Sequence, residues 1–252
     1  MLFRNNSWRG WTLAIAVLSF TAPAYAQTPA AAPEPKWVID LDLGLDFTLN
    51  GNVNSGAIGT LQGQAAAILP NPYGDVYGTG LTFKFGGGYV LNPLSEVRGV
   101  FTLQSADANL VRMGDVGVSS LYGQYSDYVS FGLDLGYRRY VPLTDTKVRV
   151  YGEAMVGMAF IDEINVLLSA PQSNLIIDNT DFYDRTAAFT WGINFGALFP
   201  ITEKVDFNAQ IGLRGVTGLS AVDQLVGTGL EDINEDSARL TFPVVVGVRF
   251  KF

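Results

Sequence analysis

Along most of this chain apolar and polar residues alternate with a period of two. In WVIDLDLGLDFTL (37–49), Trp37, Ile39, Leu41, Leu43, Leu45, Phe47 and Leu49 fall on one parity, and Asp40, Asp42, Gly44 and Asp46 on the other. A helix would scatter those aspartates around its circumference; a strand collects them on one face. Further segments with the same alternation have apolar sets beginning at Leu81, Val97, Val129, Val148, Ala187, Val205 and Leu240. None of these apolar sets contains Asp, Glu, Lys or Arg, whereas the opposite parity is rich in Gly, Thr, Asn and charge. Eight strands follow. The connections 92–96, 141–147 and 201–204 are short and carry turn formers. The stretches 50–79, 105–127, 162–185 and 217–237 are long and are expected to be loops without regular structure. Strict alternation of short and long connections places all four long stretches on one edge of the sheet.

Alternation does not say which face meets water. A water-facing outer surface would be rich in Lys, Glu and Thr. Here the polar parity carries small residues instead, including Gly86, Gly88, Gly132, Gly136, Gly157, Gly192, Gly196, Gly212 and Gly247. These suit a narrow, crowded interior. The aromatics also fall at two levels. One holds Trp37, Tyr89, Tyr137, Phe199, Phe207, Phe250 and Phe252, the other Phe47, Phe83, Phe101, Phe131, Phe160, Phe189 and Phe242. Two such belts are expected where strands cross a bilayer. The expected fold is therefore all-β: an eight-stranded antiparallel transmembrane β-barrel over 37–252, with short periplasmic turns and four long extracellular loops. Its apolar parity faces lipid.

The N-terminus adds an address. Arg4 and Arg9 precede the apolar run WTLAIAVLSF, and Ala24-Tyr25-Ala26 is a small-x-small cleavage pattern. Residues 1–26 are thus expected to be a signal peptide, and 27–36 a Pro/Ala periplasmic linker. The chain has 252 residues and a net charge of −8, and the part after residue 26 is more acidic still. An acidic surface excludes nucleic acid as a natural partner. With neither Cys nor His in the sequence, disulfides, thiolate metal sites and the usual general base are absent. No cofactor, metal or catalytic residue is expected.

The closing residues VVGVRFKF (245–252) resemble the C-terminal assembly signal of the small eight-stranded outer-membrane barrels, the OmpA-like or porin-family β-barrel domain. Gly247, Phe250 and Phe252 stand at the matching positions, while Val245 replaces the usual polar first residue. The resemblance covers 37–252. It implies location in the outer membrane of a Gram-negative cell envelope, escort by periplasmic chaperones and insertion by the barrel assembly machinery. It also implies that no peptidoglycan-binding domain follows. Enzymes among comparable barrels depend on His, so this chain is read as a non-enzyme.

Eight strands leave a lumen only wide enough for side chains, so inward charges must pair. A lumen plug is expected from Asp40, Asp42, Lys84, Asp134, Arg138, Glu153, Arg214 and Arg249. The hairpin at 141–147 should bring Asp134 near Glu153, and strand closure should set Asp40 beside Arg249. Glu96 is assigned to a turn. The long loops are acidic, with Glu231, Asp232, Glu235 and Asp236 in GLEDINEDS the densest cluster, read as a solvated acidic loop. They would meet outer-membrane lipid and lipopolysaccharide, with divalent cations bridging the two. The first loop, 56–74, is the most apolar and is expected to fold over the mouth, to gate it or to touch lipid headgroups. The functional expectation is a monomeric surface scaffold with a mostly plugged lumen. The alternative is a narrow low-conductance pore or an OmpW-like transporter of small molecules.

Overall fold

The structure, a computed structural model, describes residues 36–144, 146–222, 227–235 and 237–252. The signal peptide 1–26 and nearly all of the linker 27–36 lie outside the described residues, as do Asp145, Asp223 and Asp236. The elements in chain order are β1 (Trp37–Asn50), β2 (Asn52–Asn54), β3 (Ala57–Leu61), β4 (Gln64–Ile68), β5 (Asn71–Pro72), α1 (Tyr73–Tyr77), β6 (Thr79–Asn92) and β7 (Ser95–Ala106). Then come β8 (Leu110–Val116), β9 (Ser119–Tyr125), β10 (Tyr128–Val141), β11 (Arg149–Ile161), β12 (Ile164–Ala170), β13 (Leu175–Tyr183), β14 (Thr186–Pro200), β15 (Val205–Val216) and β16 (Arg239–Lys251). Eight of them close a barrel in the order β1-β16-β15-β14-β11-β10-β7-β6, every pairing antiparallel.

Closure runs to the last residue. Val38 pairs with Lys251, and the Phe252 amide donates to the Trp37 carbonyl at 2.9 Å. The sheet thus has no free edge where the first and last strands meet, which is what an apolar surrounding demands. The short turns are built locally. The Leu94 amide donates to the Asn92 side chain at 2.9 Å, and the Lys204 and Val205 amides both donate to the Thr202 hydroxyl.

The outward face of the wall is apolar and exposed: Leu43, Phe85, Leu135, Val156, Ile193 and Phe195 all stand clear of other side chains. Aromatic pairs mark its two ends. Trp37 meets Tyr89 edge-on at 4.9 Å, and at the other end Phe131 stacks on Phe160 at 4.8 Å.

The inward face is kept passable by glycine opposite bulk. A Cβ on Gly86 would sit 2.7 Å from the Arg98 guanidinium, and one on Gly132 would sit 2.8 Å from that of Arg214. At Gly157 the clash would be with the Leu133 carbonyl at 2.1 Å and with the Asp134 carboxylate.

The long connections differ from expectation: they are folded. Strands β3, β4, β8, β9, β12 and β13 form a second, six-stranded sheet in the order β13-β12-β9-β8-β4-β3. At the β3–β4 tip, Gln62 and Gly63 both take positive φ (48° and 78°), the geometry of a two-residue hairpin turn. Residues of 217–222 and of 227–235 meet the two edges of this sheet. The Thr60 amide of β3 donates to the Thr228 carbonyl at 2.7 Å, while Tyr183 of β13 bridges to Ala221. Asn234 ties the segment further, donating to the Phe182 and Val222 carbonyls.

The sheet encloses a core of Leu61, Ile68, Met113, Leu121, Ile164, Val166, Leu168, Phe182, Leu230 and Ile233. Sidedness therefore inverts along the wall. Below Tyr128, the inward residues of β10 are Ser130, Gly132, Asp134 and Arg138; above it the inward residues are aliphatic and aromatic. The sequence signal for this head was present but short. Each strand holds only a few inward apolar residues, and that period-two run is too brief to stand out among turn formers.

The glycine packing yields a paired expectation. Gly157→Ala should destabilise the barrel by about 1–3 kcal/mol through overpacking. Gly87→Ala, whose Cβ would meet nothing within 4 Å, should be near neutral. Urea unfolding followed by the heat-modifiable gel shift separates the two.

Candidate functional site

Inside the barrel, three carboxylates and three guanidinium groups form one connected cluster in the half nearer the termini. Arg98 is its hub. It donates to Asp40 at 2.5 Å and to Glu153 at 2.6 Å, with Glu96 at 3.4 Å. Arg249 donates to both oxygens of Glu96 and to the Tyr140 hydroxyl, which itself donates to Glu96 at 3.0 Å. Arg138 lies 3.4 Å from Glu153 and 3.7 Å from Glu96, with its guanidinium 3.7 Å above the Tyr151 ring. All six charged residues are buried. Ions this far from water hold their charge only when paired. Matched numbers meet that condition, with Arg98 reaching three carboxylates, Arg138 two and Arg249 both oxygens of one.

Smaller groups flank the cluster. Toward the termini, Asp206 accepts from Lys251 at 2.7 Å and from Arg149 at 3.0 Å. Toward the head, Asp134 accepts from Thr190 at 2.6 Å and from Arg214 at 3.4 Å, while Asp42 accepts from Asn208 at 2.8 Å. At the boundary with the head, Asp46 accepts from Gln104 and lies 3.7 Å from Arg239. The Arg239 guanidinium sits over Tyr128 at 4.7 Å and Tyr73 at 5.4 Å. Tyr77 packs edge-on against Tyr128 at 5.7 Å, so an aromatic layer stands across the lumen at this level.

All eight residues singled out from the sequence, Asp40, Asp42, Lys84, Asp134, Arg138, Glu153, Arg214 and Arg249, lie on the inward face. Of the expectations about the lumen charges, the neighbourhood of Asp40 and Arg249 holds and two others are corrected. Asp134 is not opposite Glu153: it pairs across the hairpin with Gly157, and Glu153 pairs with Arg138. The partner of Asp134 is thus four residues beyond the expected one, an even number that leaves every side chain on its expected face. Asp40 and Arg249 are cross-strand neighbours, yet their side chains diverge, Asp40 to Arg98 and Arg249 to Glu96. Glu96 is not in the turn. The connection is only Pro93-Leu94, so Glu96 is the first inward residue of β7. The sequence signal was its parity with Arg98.

In the segment around GLEDINEDS the acids Asp232 and Glu235 are exposed, as expected of a solvated acidic loop, but their neighbours pack inward. Leu230, Ile233 and Asn234 are buried. Glu231 folds back to accept from the amides of Gly227 at 2.6 Å and Gly229 at 3.3 Å, and backbone hydrogen bonds hold its carboxyl below the ordinary glutamate range. Among the described residues no cluster of three or more acidic groups is placed to hold a metal ion. Loop one is not a free flap but part of the head, and its Tyr73 stands over the mouth. Leu61, Ala66 and Ile68 face the head core, while Ile58 and Leu69 face outward.

Two measurements follow from these contacts. Removing one partner of the central cluster, as in Glu96→Gln, should lower stability by about 3–5 kcal/mol. Arg112→Ala, which breaks a half-exposed pair with Asp115 on the head, should cost under about 1 kcal/mol. Urea midpoints compare them. The folded value of Glu231 lies below its unfolded value near 4.3, so the ionised form supports its turn above that pH, and this support is lost as pH falls through the folded value. Hydrogen-exchange protection of Gly227 and Gly229 should therefore persist through the ordinary glutamate range and be lost only at lower pH, and in Glu231→Ala it should be low at neutral pH as well.

Comparison with known proteins places this architecture. Among curated proteins no sequence matches the chain significantly. Among solved structures it is similar to neisserial surface protein A, with 12% identity over 86% of this chain and 97% of that one, at a TM-score of 0.42. It is similar to outer membrane protein OprG of Pseudomonas aeruginosa, with 12% identity over 87% and 96%, at 0.47. It is also similar to the outer membrane protease OmpT of Escherichia coli, with 9% identity over 90% and 100%, at 0.42. The family model "Outer membrane protein beta-barrel domain" matches residues 12–250. A closed antiparallel barrel, apolar outside and charged inside, is thus matched over nearly its whole length, and the chain belongs to the outer membrane protein β-barrel family.

Proposed function

We propose that this protein is a non-conducting, non-enzymatic scaffold that holds a rigid folded head at the outer surface of the outer membrane. The observation that carries this reading is the double closure of the lumen. Charged side chains fill the barrel by mutual pairing, and the Tyr73, Tyr77, Tyr128 and Arg239 layer with the head core stands across the mouth. A side chain held by two or three charged partners does not move aside for a passing solute at modest cost. The non-enzymatic part rests on chemistry. The chain has no His or Cys, and its buried carboxylates are bound to guanidinium and amide donors, so no base reaches a substrate.

The head is then the working surface. Its strands are held at both ends by the barrel, which restricts it far more than free loops would be. Its two ion pairs, Arg112–Asp115 and Arg185–Asp162, already occupy both of its arginines. The remaining acids, including Asp107, Asp127, Glu163 and Asp232, favour cationic partners or divalent bridges to lipopolysaccharide phosphate.

A narrow pore is the second reading. One observation favours it: none of the three Arg138 side-chain nitrogens has a hydrogen-bond partner among the described residues, which suits a group that exchanges partners along an ion path.

Single-channel recording of the chain refolded into planar bilayers decides between them, with folding checked by heat-modifiable mobility. The scaffold reading expects silence from the folded barrel. Discrete openings that change with Arg138→Ala or Glu153→Gln would establish the pore.

A further inference from the structure

One basic group in the lumen makes no close ion pair among the described residues, and Asp42, opposite it across the strand pair, likewise has no close basic partner. Lys84, on β6, is buried, yet it makes no hydrogen bond and has no carboxylate within ion-pair distance among the described residues. Its cross-strand neighbours are Asp42 on β1 and Thr102 on β7. Asp42 is turned to Asn208. The Thr102 hydroxyl is buried and also without a partner. Glu153 is held by Arg98 and Asn194, and Asp46 by Gln104.

Lys84 and Thr102 both line a cavity of about 20 Å³ in the middle of the barrel, together with Arg214, Asn194 and Asp134. About 10–15 Å³ is enough for one water-sized guest. The only carboxylate on this cavity is Asp134, and both its oxygens are engaged, one by Thr190 and one by Arg214. The wall thus offers an ammonium with three donors, a free hydroxyl and the edge of a guanidinium, and its one carboxylate is already engaged. Gly192 on the same wall leaves the space open.

We propose that this cavity is a binding site for a small monovalent inorganic anion of the halide class, held between Lys84, Thr102 and Arg214. A donor-lined pocket with a net positive wall rejects cations. Its size excludes phosphate and sulfate, which need several times the volume of one water. A halide is the anion that fits, and it supplies the counter-charge that a buried ammonium requires. Its role is to complete the lumen packing, so it is independent of whether the barrel conducts.

The test uses the full chain refolded in detergent. Melting is followed by heat-modifiable mobility in sodium chloride or bromide against sodium gluconate at the same ionic strength. The halides should raise the melting temperature by about 2–4 °C. Lys84→Met should abolish the difference. Thr102→Val, which removes the hydroxyl at nearly constant shape, should shrink it. Crystals grown in bromide should show an anomalous peak within hydrogen-bonding reach of the Lys84 ammonium. Should Lys84→Met fail to fold, the wild-type salt comparison and the bromide peak decide the matter alone. Equal melting in halide and gluconate, with no bromide at Lys84, would overturn the proposal and leave a bridging water or a neutral amine there. A halide effect that persists in Lys84→Met would overturn it as well.

Discussion

The closing of the backbone ladder between β1 and β16 is the constraint on which everything else here depends. A strand edge exposed to hydrocarbon leaves amides and carbonyls with no partner, at several kcal/mol each. With Trp37 and Phe252 hydrogen-bonded to one another, the wall has no such edge. Once eight strands are closed, the lumen width is set, and it admits side chains rather than a stream of water. The inward residues must then satisfy one another. That is why glycine faces bulk across the wall, as at Gly86 beside Arg98, and why carboxylates meet guanidinium groups in matched numbers around Arg98.

The same wall changes solvent along its length, and its sidedness changes with it. Where lipid lies outside, apolar residues point out and the polar ones turn in. Beyond Tyr128 water replaces lipid, and the hydrophobic effect now drives the apolar residues inward. The head is the consequence: a small soluble core built on the rim of a membrane barrel. Arg239 sits at this boundary. Its charge faces Asp46 below and its flat guanidinium faces Tyr73 and Tyr128 above, so it suits both environments. The unbranched logic of alternation thus yields two cores from one continuous sheet.

Much of this was legible in the alternation. The eight barrel strands, the parity of every inward charge and the lipid-facing apolar set all follow from a period of two, because a strand offers only two faces. The parity rule also survived a wrong register. Asp134 and Glu153 were expected as neighbours and are not, yet both point inward, since a slip by four residues leaves each face unchanged. Glu96 shows the opposite weakness. An error of two residues at a turn boundary moved it from the centre of the charge cluster to the periplasmic surface, because a short polar segment beside a proline reads as turn.

The sequence by itself determined the class of solvent on each face, the strand count and the face of each charge within a recognised strand, since these depend only on local periodicity and composition. Only the tertiary structure decided who pairs with whom. Arg98 reaches Asp40 and Glu153 on two other strands as well as Glu96 on its own, and Arg249 crosses to Glu96 rather than to its neighbour Asp40. It also decided that segments lacking a long repeat would assemble into the head, where residues far apart in the chain, such as Leu61, Phe182 and Leu230, share one core. Those contacts depend on barrel closure, which sets distances across the lumen that no stretch of sequence carries.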